Sequence, residues 1–243
     1  MMTWAPSTYG NEVADVYDAL HGDSDPQAVA TLAELAGQGP ALELGIGTGR
    51  LALPLVQRGV SVSGIDASPA MVEKLRAKPS GATIPLTVGD FSSVRLDEQF
   101  TLIFVAFNTF FVLLTAEDQV QCFRNVGTML RPGGVFLIEA FVPDLGRFDR
   151  GQRLAVSRIE PDAVWLEAAR HDAASQVVDS HWVRLSNSGV RLFPIRIRYA
   201  WPSELDLMAE MAGLRLRDRW SGWGRQPFSS GSGAHISVYE RVQ

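Results

Sequence analysis

The chain has 243 residues, 46% of them hydrophobic and 20% charged, the proportions of one globular domain with an elaboration. Its formal net charge of −5 argues against a polyanion-binding surface or a basic membrane patch, so neither nucleic acid nor membrane is expected as a partner. The single cysteine, Cys122, excludes an internal disulfide and a thiolate metal cluster, and no metal is expected.

Residues 1–10 read as loop. Val13, Val16, Tyr17 and Leu20 then form a helical stripe within Asn11–Leu20. A second helix is capped by Asp25, with Pro26 at its first position and Gly37 as its stop. From Pro40 the pattern alternates strand and helix. Strands are expected at 41–45, Val60–Asp66, Ile84–Asp90, Phe100–Ala106 and Val135–Phe141. Helices fall at about 49–58, after the Ser68-Pro69 cap, and after Thr115 and Asp118, which resemble a capping box. The RPGG turn at 131–134 is expected to end that last helix and launch the fifth strand. Apolar strands alternating with helices imply a parallel sheet covered on both faces, an α/β doubly wound Rossmann-like fold.

Past Pro143 the period changes to two. Leu154–Ile159, Ala163–His171, Gln176–Leu185 and Val190–Ala200 are joined by short polar turns and read as an antiparallel sheet. A helix over Pro202–Leu214 and strands at Arg215–Ser221 and Ala234–Val242 complete the chain, with a Gly/Ser-rich loop at 222–233. The expected division is a ligand-binding domain of residues 1–142 and 201–243, with 1–39 as a helical lid, and an antiparallel insert of 143–200. The insert would cover the substrate and could pair two subunits. The first 30 residues show no basic n-region or apolar core, so no signal peptide is expected. The apolar run 100–114 is interrupted at Asn108 and Thr109 and is too short for a span. A soluble, cytoplasmic protein is expected.

The organising stretch is LELGIGTGR, Leu42 to Arg50. It is a strand, a turn with glycines at 45, 47 and 49, and the opening of a helix, a unit that places a ligand at the carboxyl edge of a parallel sheet. Gly45 and Gly47 let the backbone come close to that ligand. A dinucleotide fingerprint would end in Gly or Ala where Arg50 stands, and Glu43 would repel a pyrophosphate. S-adenosylmethionine carries an ammonium and a sulfonium and no phosphate, and suits that acid. A NAD-dependent oxidoreductase is the alternative that these two residues disfavour.

With GIDASPAMV (64–72), VGDF (88–91) and LRPGGVFLIE (130–139) following in order, the chain resembles the class I S-adenosylmethionine-dependent methyltransferases. The resemblance covers residues 40–142. The N-terminal segment and the insert look like its small-molecule branch, and within that the amino-sugar N-methyltransferases of natural-product pathways. It implies a seven-stranded sheet, S-adenosylmethionine as cofactor and methyl transfer to N, O or C of a small-molecule acceptor. It also implies roles. Glu43 would hold the ammonium and Asp66 the ribose hydroxyls. Ala67 or Met71 would pack on the adenine face, with Asp90 and the Phe91 amide reading its amine edge. Ala106 to Asn108 would line the methyl side, and Tyr9 and Tyr17 would cover the cofactor. Arg50 belongs to the same cofactor-binding set.

Each of these residues has a plainer use. Tyr17 lies in an apolar stripe, Asn108 suits a loop, and His21, His171, His181 and His235 are scattered without metal-ligand spacing. Trp201, Trp220 and Trp223 suggest an aromatic wall whose default use is packing. The branch's base would be a histidine after the fourth strand. Here that stretch, Asn108–Val112, holds Phe110 and Phe111 instead, which tilts the pocket toward an apolar or aromatic acceptor. A base, if used, would be sought at Tyr9, His181 or Glu139. A non-methylating protein that keeps the cofactor fold stays open, because catalysis by proximity leaves no residue signature.

Overall fold

The computed structural model describes residues 4–242. Seven strands form the main sheet: β1 (Ala41–Leu44), β2 (Val62–Asp66), β3 (Leu86–Val88), β4 (Phe100–Val105), β5 (Leu130–Phe141), β10 (Leu214–Trp220) and β11 (Ala234–Arg241). Their order is β10-β11-β5-β4-β1-β2-β3. The five strands from β3 to β5 run parallel, and β11 is antiparallel to both β5 and β10. Chain order reverses between β1 and β4, so the crevice beyond their carboxyl ends is the place such sheets give to ligands.

The helices are α1 (Thr8–Val13), α2 (Tyr17–His21), α3 (Pro26–Ala36), α4 (Ala52–Gln57), α5 (Pro69–Arg76), α6 (Ala116–Met129) and α7 (Pro202–Met211). Three expected caps form: Asp25 accepts from the Gln27 amide, Ser68 from Met71 and Thr115 from Asp118. Leu42, Leu44, Ile103, Val105, Phe136 and Ile138 face one helical layer. Ala41, Leu102, Phe104, Val135 and Leu137 face the other. Burial on both sides explains why these strands carry little polar alternation.

Two expectations change. The helix read over Asn11–Leu20 is broken, because Ala14 to Val16 form a turn and the axis restarts at Tyr17. RPGG does not precede the fifth strand but lies within it. Phe100 pairs with Leu130 and Leu102 with Val135, so the turn residues bulge out of the ladder.

The insert is a four-stranded antiparallel sheet in sequence order: β6 (Gln152–Ile159), β7 (Ala163–Asp172), β8 (Val177–Ser186) and β9 (Gly189–Arg198). Its inner face meets the lid through Trp165 and Phe193, which stack at 5.6 Å beside Val13. Arg198 fastens it to the main domain, donating to Gln119 at 2.6 Å and to Glu204 at 2.7 Å. Among the described residues no helix is long and apolar enough to cross a membrane.

Candidate functional site

Two spaces meet at the carboxyl edge of the sheet. The first is a cleft between the glycine turn and the lid, lined by Gly45, Gly47, Asp66, Ala67, Met71, Asp90 and Phe91, with Tyr9 and Tyr17 above. The second is a cavity of about 780 Å³ between the lid, the β4 loop and the insert. Tyr9, Tyr17, Thr109 and Val112 wall both spaces.

Asp66 ends β2 with both oxygens engaged. Oδ2 accepts from the Gly47 amide at 2.7 Å and Oδ1 from the Ser68 amide at 2.8 Å. Burial pushes its pKa up, against the pull of those two amides. A carboxylate offers about four lone-pair sites, so each oxygen keeps capacity for a ligand hydroxyl. Asp90 Oδ1 accepts from the Ser92 amide at 2.8 Å, which fixes the turn that presents Phe91.

The glycines serve different ends. Both have positive φ, +72° at Gly45 and +56° at Gly47. A Cβ at Gly45 would collide with Thr109 Cγ2, so that glycine makes room for a protein side chain. At Gly47 a Cβ would meet only the Gly45 oxygen, 3.9 Å away, and the backbone stands open to a ligand.

Glu43 lies buried behind the turn, and its Oε2 has no hydrogen-bond partner. Desolvation holds its carboxyl well above the usual carboxylate range, against the pull of the Arg50 charge. An orphaned buried acid is costly unless a cation or donor reaches it. S-adenosylmethionine brings an ammonium, two ribose hydroxyls and an adenine edge. Glu43, Asp66 and the Asp90–Phe91 turn match those groups in kind and order, and the residues present fit that cofactor.

Several sequence expectations move. Arg50 stands beside the Tyr17 wall of the cleft: its guanidinium lies 4.3 Å from the Phe107 ring centroid, and while desolvation raises the pKa values of Tyr17 and Glu43, its charge opposes that rise. Ala106 is buried in the core, while its neighbours Phe107 and Asn108 reach the cavity. Glu139 is no free base, since Oε2 accepts from the Phe107 amide and Oε1 from the Trp223 indole, each at 2.8 Å. His181 faces the outer side of the insert with Asp179 and Arg196, because pleating alternates it with Ser180 and Trp182, which reach the cavity. Tyr9 sits where a base would be wanted, but desolvation followed by the charge of Tyr17 drives its pKa upward, and it stays a neutral phenol.

Other cavity residues had no role assigned from the sequence, which set His21 and His171 aside as scattered histidines. His21 stands between Tyr17 and Phe107, with ring centroids 4.4 Å and 5.0 Å away. Desolvation, then Arg50 and Arg158, lower its pKa, so it remains uncharged near neutrality. Trp182 enters from the insert, and Phe148 and Tyr199 flank His171, whose Nε2 lies 3.0 Å from the Tyr199 hydroxyl. The only local sign of His21 was its i+4 spacing from Tyr17. For Trp182, strand period alone could not say which face turns inward.

The methyltransferase domain family matches residues 41–134. The fold is similar to that of the CcbJ methyltransferase from Streptomyces caelestis, with a TM-score of 0.92 and 40% identity over 99% of this chain and 100% of that one. The cypemycin N-terminal methyltransferase of a Streptomyces species is 25% identical over 242 residues, covering 97% of this chain and 98% of its own. The amino pentose methyltransferase CalS10 from Micromonospora echinaspora, solved with S-adenosylmethionine bound, shares the fold. Its TM-score is 0.70 at 23% identity, over 93% of this chain and 97% of that one.

Proposed function

We propose an acceptor class for this chain, which belongs to the class I S-adenosylmethionine-dependent methyltransferases: a small-molecule amine with a broad apolar body, in natural-product biosynthesis. The observation that carries the reading is the wall of Tyr9, Tyr17, Thr109 and Val112 common to the cleft and the aromatic cavity. Whatever fills the cavity meets the cleft's contents there. The cofactor supplies an electrophilic methyl group. Positioning two reactants in this way contributes about 7–11 kcal/mol in favourable cases.

Nitrogen is favoured on chemical grounds. A neutral amine attacks with its own lone pair and needs no base to form the bond, whereas a hydroxyl or carbon acceptor usually does. Tyr9 and Tyr17 both have raised pKa values, chiefly through desolvation, and serve as neutral hydrogen-bonding walls. His21, uncharged in the same cavity, can accept a hydrogen bond from the amine N–H and so orient its lone pair. Among the similar proteins, one is named an N-terminal methyltransferase and another an amino pentose methyltransferase.

The roles assigned to Glu43, Asp66, Ala67, Met71, Asp90 and Phe91 belong to this proposal, with residues 1–142 and 201–243 binding the donor and 143–200 covering the acceptor. A cytoplasmic homodimer completes it. The outer face of the insert exposes Leu154 (74%), Val156 and Ile159 (76%) on β6 and Val190 (67%) and Leu192 on β9, the two edge strands, with Leu166 and Val183 between Val156 and Leu192 in register, a face that a second copy would cover. Incubation with methyl-labelled donor and a panel of apolar amines, phenols and carbon nucleophiles, read by mass spectrometry, tests the acceptor. Transfer confined to oxygen or carbon would overturn the nitrogen assignment.

A further inference from the structure

Polar side-chain tethers at Asn11, Asp15 and Asp18 fasten α1, α2 and the turn between them, and the last reaches into the glycine turn. At α1, Asn11 Oδ1 accepts from the Ser68 hydroxyl at 2.7 Å. Between α1 and α2, Asp15 pairs with Arg191 of the insert at 2.8 Å. At α2, Asp18 Oδ1 accepts from the Thr48 hydroxyl at 2.6 Å, and its Oδ2 lies 2.7 Å from Lys78 Nζ. The same Nζ donates to the Thr48 carbonyl oxygen at 2.9 Å. Lid acid, turn threonine and the lysine beyond α5 thus close a ring.

Its position gives the ring a use. Thr48 is fully buried between Gly47 and Gly49, and Gly47 supplies the amide held by Asp66. Asp18 is the neighbour of Tyr17, which walls both spaces, and shares its helix with His21. The space beneath the lid is narrow, about 80 Å³, and shares its Tyr9 and Tyr17 wall with the larger cavity. A nucleoside-sized molecule held there is roofed by α1 and α2, so its release depends on the contacts that keep those helices in place. The Asn11 and Asp15 tethers hold the lid to its surroundings. The Asp18 tether engages the turn itself: Asp18 accepts from the Thr48 hydroxyl, and Lys78, paired with Asp18, holds the Thr48 carbonyl oxygen.

We propose that Asp18 is a positioning residue of the transfer site: its ring with Thr48 and Lys78 registers Tyr17 against the glycine turn and sets how long the donor and its product stay beneath the lid. The inference rests on reading the cleft as the donor site. Although desolvation works against the charged form, the bonds from Lys78 and Thr48 keep the Asp18 carboxyl below its ordinary range, so the ring persists at neutral pH. An ordinary surface ion pair would have little effect of any kind. This one differs in spanning the moving element and the loop it closes on.

The test measures the dissociation rate of S-adenosylhomocysteine by stopped-flow competition, hydrogen exchange over residues 8–21, and thermal stability. Asp18→Asn and Lys78→Met are each expected to raise that rate about three- to tenfold, the effect of losing a partly exposed charge-assisted contact. Exchange should rise over the lid alone, with the melting temperature held. Thr48→Val should give part of the effect, and Lys78→Arg, which keeps the charge, should restore slow release. The double variant should be no faster than the worse single one, since both remove one interaction. An unchanged release rate in the single variants would overturn the proposal, as would faster exchange throughout the chain with lowered stability. Failure of the wild-type protein to bind S-adenosylhomocysteine would overturn the donor-site reading beneath it, a result distinct from binding with unaltered release.

Discussion

Glu139 and Trp223 meet at 2.8 Å, indole Nε1 on carboxylate Oε1, while the other oxygen takes the Phe107 amide. This contact braces an unusual backbone. Phe107 and Asn108 hold successive positive φ values of 58° and 65°, conformations that cost of order 1–3 kcal/mol each in non-glycine residues. The Asn108 amide donates to the Glu139 carbonyl at 3.1 Å, and Asn108 Oδ1 accepts from the Phe141 amide at 2.7 Å. The cavity floor is thus held in place from β5.

Glu139→Ala strands both donors and should lower unfolding free energy by about 1–3 kcal/mol, measured by urea titration. Glu139→Gln presents its NH₂ to one of the two donors and recovers at most the other. Equal stability of all three proteins would show that water replaces the brace.

Asp66→Asn should weaken S-adenosylhomocysteine binding as much as Asp66→Ala does. Both oxygens already accept backbone amides, so an Asn side chain must set NH₂ against an N–H. The expected loss is about 1.5–3 kcal/mol for each bond to the carboxylate, read by calorimetry. Unchanged affinity in both variants would place the ribose elsewhere.

With Glu43 holding the donor's ammonium, as proposed, donor binding should depend on pH. Burial raises the Glu43 pKa in the free protein, and an arriving ammonium requires the ionised form. Affinity for S-adenosylhomocysteine should therefore fall as pH is lowered, and binding should release a proton, visible as a buffer-dependent enthalpy. Glu43→Gln should abolish both. The stability sign follows from the same shift. With the folded pKa above the unfolded value, the folded protein holds more protons between the two, and stability falls as pH rises through that window. Glu43→Gln should flatten that slope in urea titrations.

The outer face of the insert predicts a dimer by light scattering, and Val156→Glu with Leu192→Glu should give a monomer. Charges on an apolar packing face leave it uncompensated. A wild-type monomer would refute the pairing.

What could be read before the fold was known was local. Asp25-Pro26, Ser68-Pro69 and Thr115 set helix starts within four residues of themselves, and the glycine turn announced its own conformation. What could not be read depended on distant partners. Glu139 looked like a spare acid because Trp223 lies 84 positions away. His181 and Trp182 are neighbours of equal promise until pleating and the packing of the insert decide which faces inward. Beyond its spacing from Tyr17, His21 carried nothing that set it apart from the other three histidines; its place in the cavity follows from the helix that restarts at Tyr17 after the turn at Ala14–Val16, which an apolar stripe does not reveal.

The common wall of Tyr9 and Tyr17 has a kinetic corollary. With the donor in the cleft, as proposed, an acceptor lodged in the cavity presses on the same two rings that would roof it, so the donor is expected to enter first and its spent form to leave last. Steady-state turnover should follow a compulsory order, with S-adenosylhomocysteine competing against the donor and the methylated product not. The lid would then act as a turnstile that admits one sequence of passage.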